Sequence, residues 1–198
     1  MDHPDTPPTD HTERLPIPER ALMSQAQQMA ADAIINGPRK AIFGPFIPLL
    51  QTPALMERVG KLGESLRFDG ALPARVRELV ICAVARETSN RFEWQTHAPL
   101  ALKEGISASA VDALAAGSRP QTLADDEARA LDFVSELMRH HGVGDHGYAA
   151  ATACFGAPGV IELTTLVGYF TMVCWVMNVA RTPGPGDTSA PPLRSFPG

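Results

Sequence analysis

The run from Gly159 to Ala180, GVIELTTLVGYFTMVCWVMNVA, limits what this chain can fold into more than any other stretch. It carries one charge, Glu162, over about the length at which a helix spans a bilayer. No turn signal interrupts it, so its β-branched residues do not divide it into strands. Thr164, Thr165, Thr171 and Asn178, and the lack of a second such run or of a flanking basic belt, argue against insertion in a membrane. The remaining solution is a central helix buried by its neighbours, and by another subunit if there is one. Such a helix needs amphipathic partners.

The rest of the chain supplies them. From Pro18 to Ile35 the spacing of Ala21, Leu22, Met29, Ala30 and Ala33 predicts an amphipathic helix, ended by Gly37 and Pro38. Prolines at 38, 45, 48 and 53 then permit only short turns. Phe43, Phe46, Ile47, Leu49 and Leu50 are too apolar for water, which places this loop over the core or along a cleft. Thr52 as N-cap and Pro53 at the first helical position open a helix to about Leu66. Pro73 starts another, to about Glu87, and a turn at Thr88, Ser89 and Asn90 leads into a helix closed by Gly105. Ser107 caps a short helix to about Ala116, and Thr122 caps one to about His140 with Asp125, Asp126 and Glu127 in its first turn. Asp145 opens a short helix that Gly156 ends, and Pro158 begins the long apolar one. Seven or eight helices and no convincing strand predict an all-α bundle. One domain is expected over 18–181, between a flexible segment 1–17 and a Pro/Gly-rich tail 182–198.

Composition narrows the partners. A hydrophobic content of 44% in 198 residues suffices for a single core. A net charge of −5 with no basic cluster makes nucleic acid an improbable partner. The first residues lack a basic region followed by an apolar one, so cytoplasmic residence is the default expectation. Cys82, Cys154 and Cys174 form neither a CxxC motif nor a zinc spacing and are read as reduced, buried thiols.

The chemistry concentrates between Pro73 and Gly105. Leu79 to Ala85 is uncharged, so that part of its helix is expected to be buried all round, with Glu78 at its edge. Glu93 and His97 stand four apart, on one helix face. Burial raises the pKa of a carboxylate and a nearby imidazolium lowers it again, while a histidine that titrates near neutrality can give a proton and take it back. Trp94, Phe43, Phe46 and Tyr169 serve a core and also qualify as the rim of an apolar pocket. His140, His141, Asp145 and His146 straddle a helix end, where the helix dipole accounts for them without a metal. The dipole likewise accounts for Glu162, while Arg39, Lys40 and Arg86 read as solvated charges and Arg75 as a partner for Glu78.

The segment RELVICAVARETSNRFEWQTHAPLALKEGISASAVDAL, together with VIELTTLVGYFTMVCWVMNVA, resembles the carboxymuconolactone decarboxylase family within the wider alkylhydroperoxidase D-like fold. The resemblance covers most of residues 40 to 180. It implies a compact all-helical subunit, an obligate trimer or hexamer, with neither metal nor cofactor. The peroxidase branch of that fold has a glutamate followed twelve, fifteen and nineteen residues on by Cys, Cys and His; from Glu78 those offsets fall on Asn90, Glu93 and His97. Disulfide exchange needs two thiolates, and neither Asn nor Glu supplies one. The Glu93–His97 pair instead resembles the decarboxylase branch, which implies a small carboxylated lactone or related acid as substrate and a setting in the breakdown of aromatic compounds. On that reading His97 is the proton donor, Glu93 orients or relays, and Glu78 is a second relay or a substrate contact. Asn90, Trp94, Phe43, Phe46 and Tyr169 are the candidate substrate contacts. Lactone hydrolysis by the same trio, thiol redox chemistry at Cys82 and a non-catalytic assembly module remain as alternatives.

Overall fold

The computed structural model describes residues 12–186 and 189–193, and among them it contains eight α-helices and no strand. In chain order these are α1 (Gln25–Asn36), α2 (Phe46–Leu49), α3 (Pro53–Glu64), α4 (Ala74–Glu87), α5 (Arg91–Lys103), α6 (Ala108–Ala115), α7 (Asp125–His140) and α8 (Asp145–Ala180). Helix α4 is the hub and packs against α5, α6, α7 and α8. The uncharged run makes this possible, since Leu79, Val80, Ile81, Cys82, Val84 and Ala85 are fully buried.

Two apolar clusters share α4. The larger joins Val76, Val80, Ile81 and Val84 to Leu163, Leu166, Phe170 and Val173 of α8 and to Phe133 and Val134 of α7. The smaller joins Leu79, Cys82 and Ala85 to Trp94 and Ala98 of α5 and Val111 of α6. The ends of α4 are tied down by charge. Arg75 pairs with Asp126 and Glu127 of α7, at 2.6 and 2.8 Å, and not with Glu78.

Several local expectations are corrected. The first helix begins later: a 3-10 turn at Arg20–Leu22 precedes α1, which Ser24 caps, with the Gln27 side chain closing a capping box. Thr52 does not cap α3, because its hydroxyl donates to the Leu49 carbonyl instead. The end of α3 widens into a π turn at Ser65–Asp69. Helix α7 starts at Asp125, beyond Thr122, with the Glu127 carboxylate reaching back to accept the Ala124 amide at 2.9 Å. Cys154 is exposed, whereas Cys82 and Cys174 are buried.

The apolar run is covered on one side only. Ile161, Trp175 and Val179 of α8 are each more than 60% exposed, because they fall on the face away from α4 and α7. Among the described residues α8 is the one helix long and apolar enough to cross a membrane, and half of its most apolar window is buried inside the fold. The short helix and the long one expected on either side of Gly156 meet within α8 at a break, where Gly156 takes the non-helical φ 68° and ψ 173°. Glu162 does more than face the dipole: its carboxylate accepts the Ala71 and Leu72 amides at 2.7 and 3.3 Å, fixing the entry to α4.

The expected tails lie partly outside the described residues, at 1–11, 187–188 and 194–198. Of the remainder, the Arg14 amide donates to the Ala180 carbonyl at the end of α8, and the Pro191 carbonyl accepts from Trp94.

Candidate active site

The turn between α4 and α5 sets the site. Asn90 caps α5 through its side-chain oxygen, which accepts the Glu93 amide at 2.8 Å. Its amide group donates to the Cys174 carbonyl at 3.1 Å and to Oδ1 of Asn178 at 2.8 Å, and Asn178 in turn donates to the Thr88 carbonyl. The turn is thus fastened to α8, and Glu93 is held in the first turn of α5 with its side chain directed inward.

One helical turn on, His97 meets carboxylates on both ring nitrogens. Nδ1 lies 2.5 Å from Oε2 of Glu78, and Nε2 lies 3.1 Å from Oε2 of Glu93. All three residues are 5% exposed or less. Burial by itself lowers the His97 pKa, but the hydrogen bonds to Glu78 and Glu93 more than offset this and push it up to about 9. His97 is therefore an imidazolium at neutral pH and donates to both sides. Arg77, whose Nε is buried and lies 3.9 Å from Oε1 of Glu78, balances the second carboxylate. The formal charges of Arg77, Glu78, His97 and Glu93 then sum to zero, which is what makes the burial tolerable.

This geometry puts the imidazole in the middle of a carboxylate–imidazolium–carboxylate chain that can act as a proton relay. Both its nitrogens are engaged, so a proton that His97 gives up passes first to one of the two carboxylates. Oε1 of Glu78 faces Arg77.

The other sequence candidates fall in different places. Phe170 packs edge-on against the His97 ring at 5.4 Å, and Tyr169 packs edge-on against Phe170 at 5.2 Å. Burial raises the Tyr169 hydroxyl to about 12, with Glu93 also raising it, so it remains a phenol in the field of that carboxylate. Phe43 stacks on Phe92 of α5, and Phe46 lies under the Arg39 guanidinium, 4.5 Å from ring centre to charge. Arg39 is no solvated loop charge: its side chain is buried, pairs with Glu64 and donates to the Gly60 carbonyl. Trp94 turns into the smaller cluster, and its Nε1 donates to the Pro191 carbonyl at 2.6 Å. Every polar atom of the Asn90 amide is occupied by protein. Arg77 and Phe170 escaped the sequence reading. Arg77 adjoins Glu78 in the chain, a spacing that does not ordinarily put two side chains together on a helix, and Phe170 is one of many apolar residues in its run.

Residues 53–136, which contain all three members of the relay, match the carboxymuconolactone decarboxylase family. The fold of the chain is that of the AhpD-like proteins. The core of the alkylhydroperoxidase AhpD, an uncharacterised peroxidase-related protein from Ralstonia eutropha JMP134, superposes with a TM-score of 0.72 at 16% identity, over 87% of this chain and 92% of its own. A protein of unknown function from Agrobacterium tumefaciens superposes with a TM-score of 0.61 at 14% identity, over 70% of this chain and 96% of its own. No curated protein matches the chain.

Proposed function

We propose that this chain is a member of the carboxymuconolactone decarboxylase family and a cofactor-free lyase of the decarboxylase type, acting on a small carboxylated lactone or related acid. The observation that carries the reading is the buried imidazolium bracketed by two carboxylates, at 2.5 and 3.1 Å. In such a reaction the bond between the substrate carbon and its carboxylate breaks, carbon dioxide leaves, and the electron pair stays behind as an enolate-like carbanion. The carbanion needs positive charge nearby and then a proton on carbon. His97 supplies that charge and then the proton, which reaches the carbon by way of the Glu93 carboxylate; Glu78 holds the ring, and water returns a proton to the imidazole once product has left. Because the trio is buried, substrate entry needs a movement of the side chains that cover it.

Thiol peroxidase chemistry finds less support in these residues. Burial raises the Cys82 and Cys174 thiols, and Glu78 and Glu93 raise Cys82 further, so neither offers a thiolate. The proposal includes self-association as a trimer or hexamer, which the exposed apolar face at Ile161, Trp175 and Val179 supports.

The test is to screen carboxylated lactones for carbon dioxide release in deuterated water. Active turnover should place deuterium on the carbon that lost the carboxylate. Glu93→Gln is expected to lower the rate by about a hundredfold or more, the usual weight of a general acid. Products that have gained water and kept the carboxylate would move the assignment to lactone hydrolysis by the same trio. An unchanged rate in Glu93→Gln and in His97→Asn would remove the relay from the chemistry.

A further inference from the structure

A cavity of about 360 Å³ opens between the second half of α4, the 117–120 loop and α7, and none of Glu78, Glu93 and His97 lines it. Leu114, Leu131, Ala83, Val134 and Met138 form an apolar part of its wall, beside a polar part of similar extent that includes Arg86, Glu87, Arg119, Asp132 and Arg139. Its volume falls in the range of small-molecule sites.

The charged groups at this cavity are not equivalent. Arg119 spends its guanidinium on Asp132, at 2.8 and 3.0 Å. Arg86 has no such partner among the described residues, and its Nε is buried without a hydrogen bond. The chain also makes room for this guanidinium. Gly117 holds φ 74°, and a Cβ there would collide with Arg86. The group is therefore seated against backbone at the wall of the cavity, with no ion pair among the described residues.

A guanidinium that no carboxylate among the described residues pairs with can take the two oxygens of a ligand carboxylate through its terminal N–H groups. The apolar part of the wall offers a bare inorganic anion nothing, whereas it suits a carboxylate that carries an apolar body. We propose that this cavity binds a small carboxylic acid with a compact apolar body, with Arg86 anchoring the carboxylate, at a site separate from the relay. Arg139, at the same cavity, adds positive charge without fixing orientation.

The full chain would be titrated with benzoate and, separately, with benzamide, following backbone amide resonances. Benzoate is expected to shift residues 114–119 and 131–139, and benzamide to bind about tenfold more weakly or less, since it keeps the ring and loses the charge-assisted pair. Arg86→Met should weaken benzoate by a similar factor and leave benzamide unchanged. Equal affinity for the two ligands, shifts confined to residues 93–97, or no binding at millimolar benzoate would overturn the proposal. The comparison of the two ligands uses the wild-type protein, so it decides the matter even if Arg86→Met does not fold.

Discussion

At the residue scale the determining fact is that His97 is charged inside the protein. Its folded pKa, about 9, lies above the ordinary 6.5, so its contribution to stability is fully present below pH 6.5 and is lost as the pH rises through about 9. Thermal melts of the wild type should therefore fall across that window. His97→Asn should be destabilised by about 3 to 5 kcal/mol at neutral pH, the usual cost of removing one partner from a buried charged cluster, and its melts should lack that decline. A decline that persists in the variant would assign it to another group. Asn90 offers a second test. Asn90→Asp retains the cap acceptor but loses the two amide donors, and sets a carboxylate against the Cys174 carbonyl and Asn178 Oδ1. Asn90→Ala loses cap and donors together, at about 1 kcal/mol for the cap and a comparable amount for each buried group left unpaired. Denaturant unfolding is expected to find both destabilised. Full stability in Asn90→Asp would mean that the amide donors contribute nothing.

At the element scale, α8 shows how one glycine shapes a long helix. The dihedrals of Gly156, φ 68° and ψ 173°, lie in a region that other residues hardly enter. Gly156→Ala should cost about 1 to 3 kcal/mol in denaturant unfolding while leaving the relay in place. A neutral result would mean that the kink relaxes freely. The helix was legible as an apolar run, and its break was legible as Gly156 followed by Pro158. Its half-exposure was not, because an apolar run states that burial is favourable and leaves open which face obtains it. Helix caps were less legible than helices. Thr52 and Thr122 are good caps by residue type, but the Leu49 carbonyl and the Glu127 carboxylate compete successfully for the same geometry.

At the scale of the whole molecule, the two helices that carry the relay are held from a distance. Asn178 of α8 fixes the turn before α5, and the Pro191 carbonyl closes over Trp94, ninety-seven residues away in the chain. Truncation after Pro183 should leave the indole N–H without that acceptor and cost about 1 kcal/mol, with Trp94 becoming accessible to a fluorescence quencher. Since Trp175 is already exposed, the comparison is best made in a Trp175→Phe background. Quenching unchanged by the truncation would show that the terminal segment does not shield Trp94.

The sequence by itself determined the all-helical class, the buried α4 and the pairing of Glu93 with His97, because each is written in local spacing: an uncharged run, an interval of four, a proline or glycine at a boundary. Only the tertiary structure decided that Glu78 closes the other side of the imidazole, that Arg77 balances it, and that Arg39 and Glu162 bind backbone instead of water. Those contacts depend on where side chains from separate helices come to rest. Local periodicity carries no information about that, and the balance of buried charge does.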